Sequence, residues 1–155
     1  ANAADNGLDN LQVLWRKAPP SVTQHGASIL AYAQAMGRIE TNPAVKTAAF
    51  IEQNLAQQWQ DDLVLEYAHL SLSDIEQRLS TAEAWQTQVR DSAALKLTLG
   101  RLCRRLELWG KAQDYLQASL NLQQSKHAHA EMARLQHDLG HIDAAIEHYR
   151  LASVF

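Results

Sequence analysis

An all-α fold, stacked from helix pairs, is what this sequence predicts, on three observations. Ala, Leu and Gln outnumber Val, Ile and Thr, so strong helix formers dominate. Apolar residues recur at helical spacing: Leu95, Leu99, Leu102, Cys103 and Leu106 fall at i, i+4, i+7, i+8 and i+11. Two segments also match at a separation of 33 residues, pairing Ala112 with Ala145, Leu116 with Tyr149 and Ser119 with Ala152. The strand period is absent throughout, and the breakers lie between the apolar stripes.

Residues 1–7 carry no apolar period and are expected to fray. Leu8, Leu11, Val13, Leu14 and Trp15 predict a short helix that Pro19-Pro20 ends. Ser21 is placed to cap a helix through about Ile39. Asn42-Pro43 opens the next, with Pro at the first helical position, and it runs to about Gln58. Asp61-Asp62 starts a short helix to about Leu70, its carboxylates complementing the helix dipole. Ser73 with Glu76 reads as a capping box for a helix bearing Ile75, Leu79, Ala82 and Trp85 and ending near Val89. Asp91 or Ser92 caps the clearest helix, which ends at Leu106. Its partner, about Leu108 to Leu122, buries Trp109, Ala112, Leu116 and Leu120. The last pair spans about Lys126–Leu139 and Ile142–Val154, with Gly140 at the turn.

A period in the low thirties, with a small residue in the second helix, is the mark of helix-turn-helix repeats of the tetratricopeptide type. Lys96, Leu99, Gly100 and Cys103 fill the first-helix places of that pattern, and Ala112 and Leu116 the second. The expected fold is therefore a right-handed α-solenoid of about three to four tetratricopeptide-like helix pairs, at about 21–58, 61–90, 92–123 and 126–155. Residues 1–20 form an N-terminal extension with its short helix. Such a stack presents a curved binding surface, so a protein-interaction role is expected rather than catalysis.

Composition narrows the function further. The net charge of −3 argues against general nucleic-acid binding. Residues 93–155 hold eight basic and six acidic residues, whereas residues 1–92 hold six and eleven, so the C-terminal part is basic and the N-terminal part acidic. The single Cys103 sits in an apolar stripe and reads as a small core residue. No apolar stretch approaches the ~18 residues a membrane span needs. The start without Met and the stop at Phe155 within a helix read as those of a piece of a longer protein.

Residues 99–120, LGRLCRRLELWGKAQDYLQASL, followed by residues 127–150, HAHAEMARLQHDLGHIDAAIEHYR, resemble the C-terminal region of the bacterial HemY family. Residues 54–70, NLAQQWQDDLVLEYAHL, resemble that family's middle repeat, and the likeness extends over about residues 21–155. Leu108-Trp109-Gly110-Lys111-Ala112 is its most specific piece. The resemblance implies a tetratricopeptide-repeat domain of an inner-membrane protein, on the cytoplasmic side, acting as an accessory or scaffold in late haem (porphyrin) metabolism. Its implied partners are haem-biosynthesis enzymes. The resemblance supplies no catalytic residues. A flavin-dependent oxidase that shares the name is unrelated, and the G-x-G-x-x-G it would need is missing here.

Two constellations carry chemistry. Arg101, Arg104 and Arg105 are expected opposite Leu99, Leu102 and Leu106, on the face that lines the concave groove. One repeat later Arg134, His137 and Asp138 fall on the equivalent face. Guanidinium forks suit carboxylates, so an anionic segment of a partner protein fits there. The second is histidine: five of the seven lie between 127 and 148. His127, His129 and His137 make the alternative reading, direct haem, porphyrin or metal binding by the His/Arg-rich C-terminal half. Neither a recognised metal spacing nor a nucleophile signature accompanies them, so no cofactor and no enzymatic activity are expected.

Overall fold

The structure, a computed structural model, describes residues 3–40, 43–71 and 74–155. Every regular element among the described residues is helical. The chain divides into two compact units, Ala1–Ser73 and Asp74–Phe155. The stretch expected to form one pair over 61–90 is thus shared between them.

Unit 1 holds α1 (Ala3–Lys17), α2 (Pro20–Thr23), α3 (Gly26–Ile39), α4 (Val45–Gln57) and α5 (Asp61–Tyr67). Its N-terminus differs from expectation, because the backbone is already helical at Ala3 and Leu8 is buried beside Tyr32 and Met36. The helix expected from Ser21 is broken in two. His25 is extended, at φ −87° and ψ 125°, and serves as the N-cap of α3. Val22, Thr23 and Gly26 are poor helix formers, so little opposes the break. Pro43 does not open α4; the N-cap is Ala44, two residues before Lys46. Glu40 reaches back from the end of α3 and accepts from the amides of Lys46 and Thr47 at 2.9 and 2.7 Å. Its carboxylate therefore caps α4 and meets the positive end of the helix dipole. Asn42 and Ser73, the two other expected cap residues, lie outside the described residues.

The core of unit 1 is aromatic. Trp15 stacks on Tyr32 with centroids 4.2 Å apart, and Phe50 meets both edge-on. α5 packs against α3 and α4. Its Tyr67 is fully buried and donates to Glu52 at 2.6 Å. Asp61 and Asp62 sit in the first turn of α5, where the dipole favours them.

Unit 2 is α6 (Ile75–Ala84), a 3-10 turn at Trp85–Thr87, α7 (Ala93–Arg105), α8 (Trp109–Leu122), α9 (Lys126–Asp138) and α10 (Ile142–Val154). Here the 33-residue period governs the backbone. α9 begins and ends 33 residues after α7, and α10 begins 33 after α8. Ser92 and Ser125 are the N-caps, and each hydroxyl accepts from the amide three residues on, at 3.0 and 3.2 Å. Both first helices end in the same way. Glu107 and Gly140 take left-handed φ of 58° and 78°. The amides that follow, Leu108 and His141, then donate to the carbonyls of Cys103 and Gln136 at 2.9 and 2.8 Å.

Small residues let the helices of a pair meet. A Cβ added at Gly100 of α7 would lie 2.6 Å from the side chain of Leu116 of α8, so Leu116 packs directly on the bare glycine backbone. Ala112 and its equivalent Ala145 are both buried. Leu95, Leu99, Leu102, Leu116 and Cys103 are fully buried, and burial pushes the Cys103 thiol up to about 11.

Candidate functional site

α7 and α9 lie side by side, and the polar residues between them are held by one carboxylate. Glu131 of α9 has a side chain only 5 % exposed. Its Oε1 accepts from Arg101 Nε of α7 at 3.1 Å and from Arg134 Nη1, one turn further along α9, at 2.6 Å. Its Oε2 faces Arg104 Nε at 3.4 Å, an ion pair rather than a hydrogen bond. Arg104 Nη1 donates to Asp138 at 2.9 Å.

This arrangement redistributes the expected cluster. Arg101 does not sit on a solvated face, because packing of α9 on α7 leaves its side chain 6 % exposed. A guanidinium so buried needs a carboxylate, and Glu131 supplies it. Arg104 is partly exposed, Arg134 is half exposed, and Arg105 is exposed at the end of α7. Desolvation, and then the charge of Arg104, lowers the pKa of Arg105. Three guanidiniums, of Arg101, Arg104 and Arg134, meet the two carboxylates of Glu131 and Asp138, which leaves the cluster with a net positive charge. His137 is exposed, its Nδ1 3.9 Å from Asp138.

Sequence reasoning missed Glu131, the residue on which the geometry turns. Its signal was present: it is the lone acid between Lys126 and His137, three residues before Arg134, with the right periodicity to face α7.

The histidines do not converge as a set. His127 and His137 are ten positions apart on α9, about 15 Å along the helix axis. His129 is buried, and both of its ring nitrogens are occupied. Nε2 lies 2.7 Å from Gln124 Oε1 and Nδ1 lies 3.1 Å from Nδ1 of His148 on α10. Phe155 stacks on its ring. Desolvation lowers the pKa of His129, and the charge of His148 adds to it. Desolvation also lowers that of His148, against an opposing effect of Glu147. His141 caps α10 and its Nδ1 lies 2.8 Å from Gln136 Oε1. Among the described residues no group of three or more His, Cys, Asp or Glu could hold a metal ion.

Comparison with protein families, curated proteins and solved structures gives no match. Among the described residues no helix is long and apolar enough to cross a membrane. The site therefore rests on its own geometry.

Proposed function

We propose that the chain is a protein-interaction scaffold, a right-handed solenoid of tetratricopeptide-like pairs whose α7–α9 face takes an anionic segment of a partner protein. One observation carries this reading: Arg104 and Arg134 are arrayed around a buried Arg101–Glu131 pair that joins the two helices, with Arg105 exposed next to Arg104 in the chain. Guanidiniums already held by ion pairs, Arg104 on Asp138 and Arg134 on Glu131, lose less entropy on binding than free surface chains. The 33-residue recurrence of helix bounds, serine caps and turn hydrogen bonds supports the solenoid. The likeness of residues 21–155 to the HemY family supplies the setting. The partners are then enzymes of late haem biosynthesis, and the domain works at the cytoplasmic face of a bacterial inner membrane without catalysing a reaction itself.

The haem or metal alternative draws no such support, because His129 already spends both nitrogens within the fold and His127 and His137 stand apart.

The test is a fluorescence-anisotropy titration with a labelled Glu-rich peptide at low and high salt. Binding should weaken as salt rises and fall about tenfold or more in Arg104→Glu with Arg105→Glu, while the helical circular dichroism stays unchanged. Equal affinity in both proteins at both salts would remove the basic face from consideration.

A further inference from the structure

The aromatic core of unit 1 borders a cleft. It lies between α1, α3 and α4, measures about 300 Å³, and is walled by Trp15, Tyr32 and Phe50. That volume is at the lower end of the range for small-molecule sites, which are apolar clefts with a few convergent polar groups. Tyr32 is only 7 % exposed, whereas Trp15 and Phe50 are half-buried.

Three polar groups accompany these rings. Arg16, in the last turn of α1, and Lys46, in the first turn of α4, both line the cleft. Among the described residues neither has an ion-pair partner. The described lining includes no carboxylate. Glu40, which caps α4, is spent on the amides of Lys46 and Thr47 and on the Thr47 hydroxyl. The third group is the Tyr32 hydroxyl, which has no hydrogen-bond partner among the described residues. Burial raises its pKa and the charge of Arg16 opposes that rise, so the hydroxyl is a neutral donor at neutral pH.

Each of these features runs against the ordinary pattern. A side chain as buried as Tyr32 normally finds a partner for its polar atom. A cation in the first turn of a helix meets the positive end of the dipole. Residues 1–92 hold eleven acidic residues against six basic ones, yet none of the acids lines this cleft. An anion in the cleft would answer all three.

We infer that this cleft binds a small planar aromatic anion, an aryl carboxylate or aryl phosphate, whose ring lies against Trp15 and Phe50 and whose anionic group meets Arg16, Lys46 and the Tyr32 hydroxyl. Guanidinium, ammonium and phenol are all donors, and charge-assisted bonds to an anion are the strong ones. The ring matches the walls, because aromatic surfaces pair in offset or edge-to-face contacts. A purely apolar ligand leaves the three donors unmet, and Arg16 and Lys46 repel a cationic one. The site lies wholly within unit 1 and does not depend on the scaffold reading, whose face lies in unit 2.

The experiment titrates the full chain with naphthoate and with naphthyl phosphate. Neutral naphthalenemethanol and the ringless anion cyclohexanecarboxylate serve as matched probes. Binding is read by NMR from the indole N–H resonances of the tryptophans. Both aryl anions should bind saturably, shift Trp15 while leaving Trp85 and Trp109 in place, and bind less well as salt rises. The neutral and the ringless probe should each bind about tenfold more weakly, or less. Arg16→Gln with Lys46→Gln alters two exposed, unpaired side chains. The melting temperature should therefore hold while affinity for naphthoate falls to that of the neutral probe. Tyr32→Phe keeps the ring and should weaken both aryl anions about fivefold or more, with the neutral probe unaffected. The tighter of the two aryl anions identifies the acidic group. Equal affinity for naphthoate and its neutral analogue overturns the inference. So do undiminished affinity in the Arg16→Gln, Lys46→Gln protein, shifts at Trp85 and Trp109 with Trp15 unmoved, or no saturable binding at millimolar concentration.

Discussion

In unit 2 a first helix starts at a serine that accepts from the amide three residues on, and it ends at a residue of positive φ. Both features return 33 residues later. Unit 1 makes its helix ends differently. α4 is capped by Glu40 from beyond the helix, and the bend between α2 and α3 has no side-chain cap at His25. The contrast teaches where helix boundaries are encoded. Local signals set them in unit 2, so the same short pattern produces the same backbone twice. Contacts between separate elements set them in unit 1, where neither Ser21 nor Pro43 decides a boundary.

The largest effect should come from Glu131, the one buried carboxylate among the described residues. Glu131→Ala removes the buried carboxylate that Arg101, Arg104 and Arg134 share and should cost about 3–5 kcal/mol of unfolding free energy in urea. Glu40→Ala, which removes a cap and the acceptor of the Thr47 hydroxyl, should cost about 0.5–2 kcal/mol. Equal costs would mean that Glu131 is no more central to unit 2 than a cap is to unit 1.

Close packing gives the next effect. Gly100→Ala drives a methyl into Leu116 and should cost about 1–3 kcal/mol by thermal unfolding. Gly110→Ala, where nothing lies within 4 Å, should be neutral or slightly stabilising. A harmless Gly100→Ala would mean that α7 and α8 are further apart than described.

A smaller pair sharpens the equivalence of the two turns. Gly140→Ala should destabilise and Glu107→Gly should stabilise, each by about 1 kcal/mol, because both positions hold left-handed φ and only one has the residue suited to it. The same sign for both would break the equivalence.

The smallest effect is pH-dependent. Burial lowers the pKa of His129 and of His148 from the ordinary 6.5. The unfolded chain then binds protons that the folded one resists. The stabilisation is complete above pH 6.5 and is lost as pH falls through the lower folded values. Melting temperature should therefore drop on acidification, and His148→Ala should flatten the slope. An unchanged slope would place the acid sensitivity elsewhere.

Much of unit 2 was legible because its determinants are short-range: Ser92, Gly140, Ala112 and the Leu95–Leu106 stripe each announce a cap, a turn, a contact or a buried face. Glu107 was not, since glutamate carries no turn signal; the Schellman hydrogen bonds around it hold the strained φ. The early start of α1 was hidden because residues 3–7 acquire helix through Leu8 packing on Tyr32 and Met36 rather than through their own pattern. At the candidate site the basic residues were legible and their burial was not. Facing α9 decides that Arg101 goes inside while Arg134 stays half exposed, and helix periodicity alone treats the two alike.

The most direct measurement is the Nε–Hε region of the arginine NMR spectrum during titration with a Glu-rich peptide. The signals of Arg104, Arg105 and Arg134 should shift together and saturate. Those of Arg16, Arg38 and Arg150 should stay in place. Shifts confined to these last three, with Arg104, Arg105 and Arg134 unmoved, would contradict the assignment of the α7–α9 face as the binding surface.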